Sequence, residues 1–166
     1  AYLWGTPNGY KVAIALEEMD LDYEINWINI STGEQHKPDY LKISPNGKIP
    51  AIVDHETGIS LMESGAILQY LAEKSGKFGG HSVQDRWAVT QWLHWQMGGL
   101  GPMMGQANHF RGLKEKVPYG ETRYKNEVAR LFGVLDKQLE GRDYIAGDYS
   151  IADMAAVAWA GMAPMM

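Results

Sequence analysis

The residues best placed to bind a ligand lie between positions 44 and 71. Pro50 stands at the start of a short apolar run, and an X-Pro bond at such a tight point is a candidate for the cis isomer. A cis bond would turn the backbone N–H and C=O of Ile49 outward, where an extended peptide could pair with them. Further along, Ser64 opens a predicted helix, and its hydroxyl and the first helical N–H groups make an anion site. The stretch therefore outlines a site for a peptide thiol that carries a carboxylate.

The first half of the chain must position these residues, and its patterns predict an α/β segment. Apolar side chains repeat every 3.6 residues over positions 10–20, which predicts a helix. Tyr23, Ile25 and Trp27 alternate with polar residues, which predicts a strand. The remaining elements are one helical turn, two strands around a hairpin turn and a final helix, at positions 39–41, 51–53, 59–62 and 64–74. Periodicity alone indicates only an α/β class.

The second half predicts helices and no convincing strand. Positions 83–97 and 118–139 are the longest predicted helices, and the latter carries its apolar side chains on one face. Ser150 and Asp153 form a capping box, which we interpret chiefly as a folding element. Both ends are predicted to be trimmed, because the chain begins within a strand and stops within a helix that the pattern predicts to be buried.

Composition narrows the possible partners. The net charge of −5 argues against nucleic acid and anionic membranes, and no apolar run is long enough to span a membrane. The 166 residues include no cysteine, which excludes disulfides, thiolate metal sites and a cysteine nucleophile. This absence fits a reducing compartment such as the cytoplasm. The five histidines lack metal-ligand spacing and the GGLG run is not a phosphate loop, so neither a metal nor a nucleotide enzyme is expected.

Four motifs occur in a familiar order: TPNG at 6–9, SPNGKIPA at 44–51, ESGAI at 63–67 and SIAD at 150–153. In this order and spacing the chain resembles a cytosolic glutathione transferase. The resemblance implies a thioredoxin-like α/β domain at 1–77, which binds glutathione, and an all-α domain at 82–166, which is expected to be incomplete. The TPNG motif and the segment QWLHWQMGGLGPMMGQANHF are most similar to the bacterial nu-class branch, related to the yeast nitrogen-regulation prion protein.

The resemblance implies a glutathione site built around the helix start at Ser64. Ser64 would bind the γ-glutamyl α-carboxylate, Glu63 would meet the α-amino group, and the backbone of Ile49 would pair with the cysteinyl unit. Taken alone, Ser64 is better interpreted as a plain N-cap, but the nearby Ile49 and Pro50 favour binding. The remaining expected contacts are those of two residues with the glycyl end and of an arginine from the helical domain: Gln35, Lys48 and Arg123.

Near the glutathione sulfur, the resemblance places Thr6 and Asn8 as the catalytic residues. They are predicted to lie in the turn that precedes a helix N-terminus at Gly9. A hydroxyl or amide donor and the helix dipole both stabilise a thiolate and so lower the pKa of a bound thiol. The alternative is ordinary turn chemistry, since Thr-Pro-Asn-Gly is a natural turn sequence. No Tyr or Ser stands where better-known classes keep their catalytic hydroxyl.

A permissive acceptor pocket is expected in the Met-, Trp- and Gly-rich segment 92–110, because flexible thioethers and aromatic walls adapt to varied ligands. Within it, Trp92 and Met97 are interpreted as core. The expected pocket rim consists of Met103, Met104, His109 and Phe110.

The leading hypothesis is a homodimeric glutathione-dependent enzyme, either a transferase that attacks electrophiles or a disulfide-bond reductase. Without cysteine, any disulfide chemistry must take its thiols from ligands. The first alternative is a non-catalytic binding or regulatory module on the same fold. The second is an inactive truncation product, in which exposed C-terminal side chains favour association: Trp159, Met162, Met165 and Met166.

Overall fold

The computed structural model of the protein describes residues 1–162, and the chain divides into two compact units, the first of which ends at Lys77. The first unit is α/β. Its strands are β1 (Tyr2–Leu3), β2 (Asn26–Trp27), β3 (Ala51–Val53) and β4 (Ser60–Met62). Its helices are α1 (Pro7–Glu18), α2 (Pro38–Ile43) and α3 (Ser64–Ser75), with two short 3-10 turns between β2 and α2.

The four strands form one mixed sheet in the order β2-β1-β3-β4. β1 pairs in parallel with β2 and antiparallel with β3, and β3 pairs antiparallel with β4. The predicted hairpin turn is confirmed, because the Asp54 N–H donates to the Ile59 carbonyl at 2.8 Å. Helices α1 and α3 pack against each other, with Val12, Leu16 and Ile67 among the buried side chains. This packing brings the start of α3 close to the first turns of α1.

The strand predicted over positions 23–27 is wrong for most of its length. Only Asn26 and Trp27 pair with β1, and both are exposed. Tyr23 is half-buried and Ile25 is exposed, so their alternation with polar residues does not mark a buried sheet face.

The second unit is helical. Its helices are α4 (Val83–Trp95), α5 (Gly101–Gly112), α6 (Pro118–Leu139) and α7 (Ile151–Ala160), and a π-helical turn over Gln96–Leu100 joins α4 to α5. The predicted bounds of α6 and the capping box that begins α7 are confirmed. Asp153 anchors this box, because its carboxylate accepts hydrogen bonds from the Ser150 N–H at 3.0 Å and the Ile145 N–H at 2.8 Å. The segment after Ile145 is thereby fixed to the start of α7.

Two expectations about this unit need correction. The helix predicted over 83–97 ends at Trp95, and the glycine-rich segment beyond it, for which no helix was predicted, continues through the π-turn into α5. Trp159 is not exposed but packs against the core of the unit, and Met162 is half-buried. The C-terminal association prediction also named Met165 and Met166, which lie outside the described residues.

An α/β unit with a mixed sheet followed by an all-helical unit confirms the predicted fold class. Across residues 1–162, every helix is either too short or too polar to cross a lipid bilayer.

Candidate glutathione site

The junction of β4 and α3 forms the centre of the candidate site. Helix α3 begins at Ser64, as predicted, and this serine is only 6% exposed. The N-cap residue is Glu63, and within residues 1–162 its side chain makes no capping hydrogen bond to the helix. Since the first N–H groups of an α-helix have no partner within the helix, they point toward an incoming anion. Ser64 is thus the first residue of α3, and its N-cap is Glu63, so interpreting Ser64 as a plain N-cap is wrong.

Glu63 adopts an unusual backbone conformation at this junction. Its φ of 71° and ψ of 113° are rare for a residue with a side chain. Such conformations cost roughly 1–3 kcal/mol and concentrate at ligand-binding positions. The exposed carboxylate accepts a hydrogen bond from the Asn46 side-chain amide at 3.5 Å. The conformation thus places an acidic side chain directly beside the N-terminal end of α3.

The loop before β3 presents a backbone edge. The bond between Ile49 and Pro50 is cis, as predicted. The carbonyl of Lys48 accepts hydrogen bonds from the Tyr40 hydroxyl at 2.7 Å and the fully buried Ser44 hydroxyl at 2.8 Å. These two bonds hold the loop, while the Lys48 side chain is exposed and Ile49 is half-buried.

Gln35 lies in the second 3-10 turn, Glu34–His36, with its side chain partly buried. Its Nε2 donates to the Ile30 carbonyl at 3.4 Å, whereas its buried Oε1 has no hydrogen-bond partner among residues 1–162. A buried acceptor without a donor costs about 1–3 kcal/mol. A ligand N–H that reached this oxygen would remove that cost.

Thr6 and Asn8 flank the start of α1. The helix begins at Pro7, earlier than the predicted start at Gly9, so Asn8 lies in its first turn. Thr6 is the N-cap residue, and its hydroxyl oxygen accepts a hydrogen bond from the Gly9 N–H at 3.3 Å. Its hydroxyl hydrogen remains able to donate to a ligand. Thr6 therefore has a structural role whether or not it also contacts a thiolate.

Lys11 is a residue of this region that the sequence analysis missed. It is 1% exposed, and its Nζ donates a hydrogen bond to the Ser64 hydroxyl at 3.5 Å. Burial lowers the pKa of this amine to about 7, against the opposing attraction of Glu63. Its position in the sequence could have indicated its burial. Ala15 lies four residues after Lys11 and Met19 eight residues after it, which places all three on the buried face of α1.

The packing of α5 contradicts one part of the prediction for the acceptor pocket. Met104 is fully buried in the core of the second unit, so its assignment to a pocket rim is wrong. Met103 packs at the edge of that core and, with Arg123, lines a surface cleft of this unit. Phe110 stacks on Tyr124, and His109 is exposed beside Phe110. A role for these side chains in ligand binding, including that of Arg123 toward glutathione, stays a prediction.

The described residues, 1–162, contain no group of three or more His, Asp or Glu side chains placed to hold a metal ion.

Family models match both parts of the chain: the N-terminal domain of glutathione S-transferases over residues 2–73 and the C-terminal domain over residues 108–166. The chain belongs to the glutathione S-transferase family. The resemblance drawn from the four motifs is thereby confirmed.

Among individual proteins, the disulfide-bond oxidoreductase YfcG of Escherichia coli is 49% identical, over 95% of this chain and 77% of that protein. Protein URE2 of Eremothecium gossypii is 38% identical over 96% of this chain, which spans 47% of its length. The crystal structure of a glutathione transferase from Pseudomonas putida, with one glutathione disulfide bound per subunit, superposes with a TM-score of 0.94. It is 45% identical and is matched over 97% of this chain and 73% of that one.

Proposed function

We propose that the protein is a glutathione-dependent enzyme that acts through the thiolate of bound glutathione. The observation that carries the proposal is the junction of β4 and α3, where the N-terminus of α3 at Ser64 lies beside the acidic side chain of Glu63. The γ-glutamyl end of glutathione carries a carboxylate and an ammonium group on one carbon. An anion site next to an acidic side chain matches these two charges, because each would meet a group of opposite polarity.

The other predicted contacts are arranged along the glutathione tripeptide, from its cysteinyl unit to its glycyl end. The backbone of Ile49 would pair with the cysteinyl unit, since this half-buried residue stands at the edge that leads into β3. The buried Oε1 of Gln35 would accept the N–H of the glycyl unit, and the exposed ammonium of Lys48 would attract the glycyl carboxylate. In this arrangement the glutathione-binding domain corresponds to residues 1–77.

The thiol would lie at the start of α1. The N-terminus of a helix carries partial positive charge, and both the Thr6 hydroxyl and the Asn8 amide can donate hydrogen bonds. Each of these stabilises a thiolate more than a thiol, so the pKa of the bound thiol would fall. We assign Thr6 and Asn8 as the catalytic residues on this basis.

Disulfide reduction and transfer to an electrophile are both supported. In reduction, a glutathione thiolate attacks a disulfide, forms one new S–S bond, breaks the old one and releases one substrate thiolate. A second glutathione thiolate then attacks the glutathione sulfur of the mixed disulfide, which forms glutathione disulfide and releases the second substrate thiolate. Both thiols must come from glutathione, because the 166 residues contain no cysteine. The similarity to YfcG, named a disulfide-bond oxidoreductase, and to a transferase with glutathione disulfide bound supports this version.

Turnover assays test the proposed function. We expect the protein to reduce 2-hydroxyethyl disulfide with reduced glutathione, measured by coupling glutathione disulfide formation to NADPH oxidation. Conjugation would be measured in parallel with 1-chloro-2,4-dinitrobenzene as the electrophile. Binding of glutathione without turnover of either compound would favour the non-catalytic module, and no binding by a folded protein would remove the proposed function altogether.

We further propose a nu-class-like homodimer that works in the cytoplasm, where glutathione is kept reduced. The dimer is supported by Val83 and Trp87, which lie one turn apart on α4 and are 57% and 68% exposed. Exposed apolar side chains on one helix face are typical of protein–protein interfaces. Sedimentation velocity is expected to give twice the chain mass, and Trp87→Glu is expected to give a monomer. A monomeric parent protein would contradict the dimer.

A further inference from the structure

Tyr10 is a tyrosine of α1 whose hydroxyl lies at the start of that helix. It follows the first three residues of α1 and is 47% exposed. A β-carbon built on Gly5, the residue directly before the Thr6 cap, would lie 3.5 Å from the Tyr10 hydroxyl oxygen. Aromatic side chains on a helix point back toward its N-terminus, which accounts for this position. The hydroxyl therefore lies beside the turn at which the glutathione thiol is proposed to bind.

The space beside this hydroxyl is open. Gly5 is exposed and has no side chain to fill it. Apart from the chain neighbours of Gly5, the Tyr10 hydroxyl oxygen is the one atom of residues 1–162 within 4 Å of that β-carbon position. A tyrosine hydroxyl carries one hydrogen that it can donate. A ligand atom that approaches over Gly5 would therefore meet a hydrogen-bond donor.

Disulfide reduction places negative charge on two sulfur atoms in turn. The glutathione thiolate attacks one sulfur of the disulfide, a new S–S bond forms, and the electron pair of the old bond stays on the departing sulfur. Exchange is faster when the departing thiol has a lower pKa, so a group that stabilises the departing thiolate speeds the reaction. Thr6 and Asn8 are assigned to the attacking sulfur. The departing sulfur needs a donor of its own.

We propose that Tyr10 is a further catalytic residue, whose hydroxyl donates a hydrogen bond to the departing sulfur of a disulfide substrate. This inference rests on the proposed disulfide-reductase function. The three sulfur atoms of the exchange lie nearly in line, so the departing sulfur lies beyond the attacking one as seen from Thr6. The open space over Gly5, next to the Tyr10 hydroxyl, receives it there. Tyr10 keeps its proton, and the released thiolate takes up a proton from solvent.

Kinetics with two disulfides test this inference, because a departing thiolate that is already stable needs less help. The alkyl thiol released from 2-hydroxyethyl disulfide is less acidic than the thiol released from cystine dimethyl ester. We expect Tyr10→Phe to lower kcat/KM about fivefold for the first substrate and less than about twofold for the second, as for the loss of one hydrogen bond. The pKa of the bound glutathione thiol and the Kd for glutathione should not change, since the hydroxyl acts on the other sulfur.

Tyr144→Phe is the matched control. Tyr144 is a tyrosine of the second unit with similar exposure, 40%, and its replacement should leave both rates unchanged. Equal slowing of both disulfides by Tyr10→Phe, or no slowing of either, would contradict the role of Tyr10 while the proposed function stands. A raised pKa of the bound thiol would also contradict it, because the hydroxyl would then act on the attacking sulfur. If the parent protein reduces neither disulfide, the reductase function and the role of Tyr10 are both wrong.

Discussion

Ser64→Ala is expected to weaken glutathione binding about 10- to 100-fold, the larger of the two functional effects that we predict. A hydrogen bond between a hydroxyl and a carboxylate contributes about 1.5–3 kcal/mol when one partner is charged, and 1.4 kcal/mol corresponds to a factor of ten. Ser64 is 6% exposed, so water does not readily replace its hydroxyl. The helix N–H groups remain in the variant, which is why some affinity should persist. Isothermal titration calorimetry with reduced glutathione measures the change.

Ser60→Ala provides the control for this change. Ser60 is an exposed serine of β4, close in sequence to Ser64 but outside the proposed site, and its replacement should leave the dissociation constant unchanged. Chemical denaturation of both variants separates lost binding from lost stability. Equal affinity of Ser64→Ala and the parent protein, with both folded, would remove Ser64 from the glutathione site.

The parts of the fold that could be predicted depend on local chemistry. Helix α3 starts at Ser64 and α7 follows the Ser150 capping box, because caps act within a few residues of the helix end. Helix α6 matches its predicted bounds, since a proline starts it and a long apolar stripe runs along it. Where the atoms that fix a helix end lie within one turn of each other, the sequence pattern is sufficient to predict that end.

Helix α5 could not be predicted because its glycines serve distant packing. Glycine has low helix propensity, and five glycines lie between positions 98 and 112, so a pattern-based argument disfavours a helix there. In the structure, a β-carbon on Gly101 would lie 2.8 Å from Gln96 Nε2 and 3.1 Å from Trp159 Nε1. The glycine is needed for the close approach of Trp159 on α7.

The candidate site also combines features that local sequence predicts with features that depend on contacts distant in sequence. The roles assigned to Ser64 and Glu63 rest on a helix start that the sequence predicts. Met103 and Met104 could not be separated without α5, because consecutive helical residues point about 100° apart and only one of them enters the core. Lys11 was missed because its type favours exposure, whereas its place among the buried positions of α1 decides its environment. Contacts between α1 and α3, which are distant in sequence, create this part of the site.

Asn8→Ala is expected to raise the pKa of the glutathione thiol in the complex by about one unit. Asn8 lies in the first turn of α1, where an amide donor adds to the helix dipole in stabilising a thiolate. With less thiolate present, turnover below the pKa should fall about tenfold, and the two proteins should converge at alkaline pH. The pH dependence of the ultraviolet absorbance of the thiolate, measured for bound glutathione, reports the pKa directly.

Thr6 has to be tested with two substitutions, because its hydroxyl also caps α1. Thr6→Ala removes the N-cap of α1 as well as a donor, which costs about 1 kcal/mol of folding free energy, whereas Thr6→Ser keeps the hydroxyl for both roles. We therefore expect Thr6→Ser to retain the thiol pKa of the parent and Thr6→Ala to raise it. Asn26→Ala, at an exposed position of β2, should change neither the pKa nor the rate. An unchanged thiol pKa in both Asn8→Ala and Thr6→Ala would leave the helix N-terminus as the source of thiolate stabilisation and exclude the two side chains.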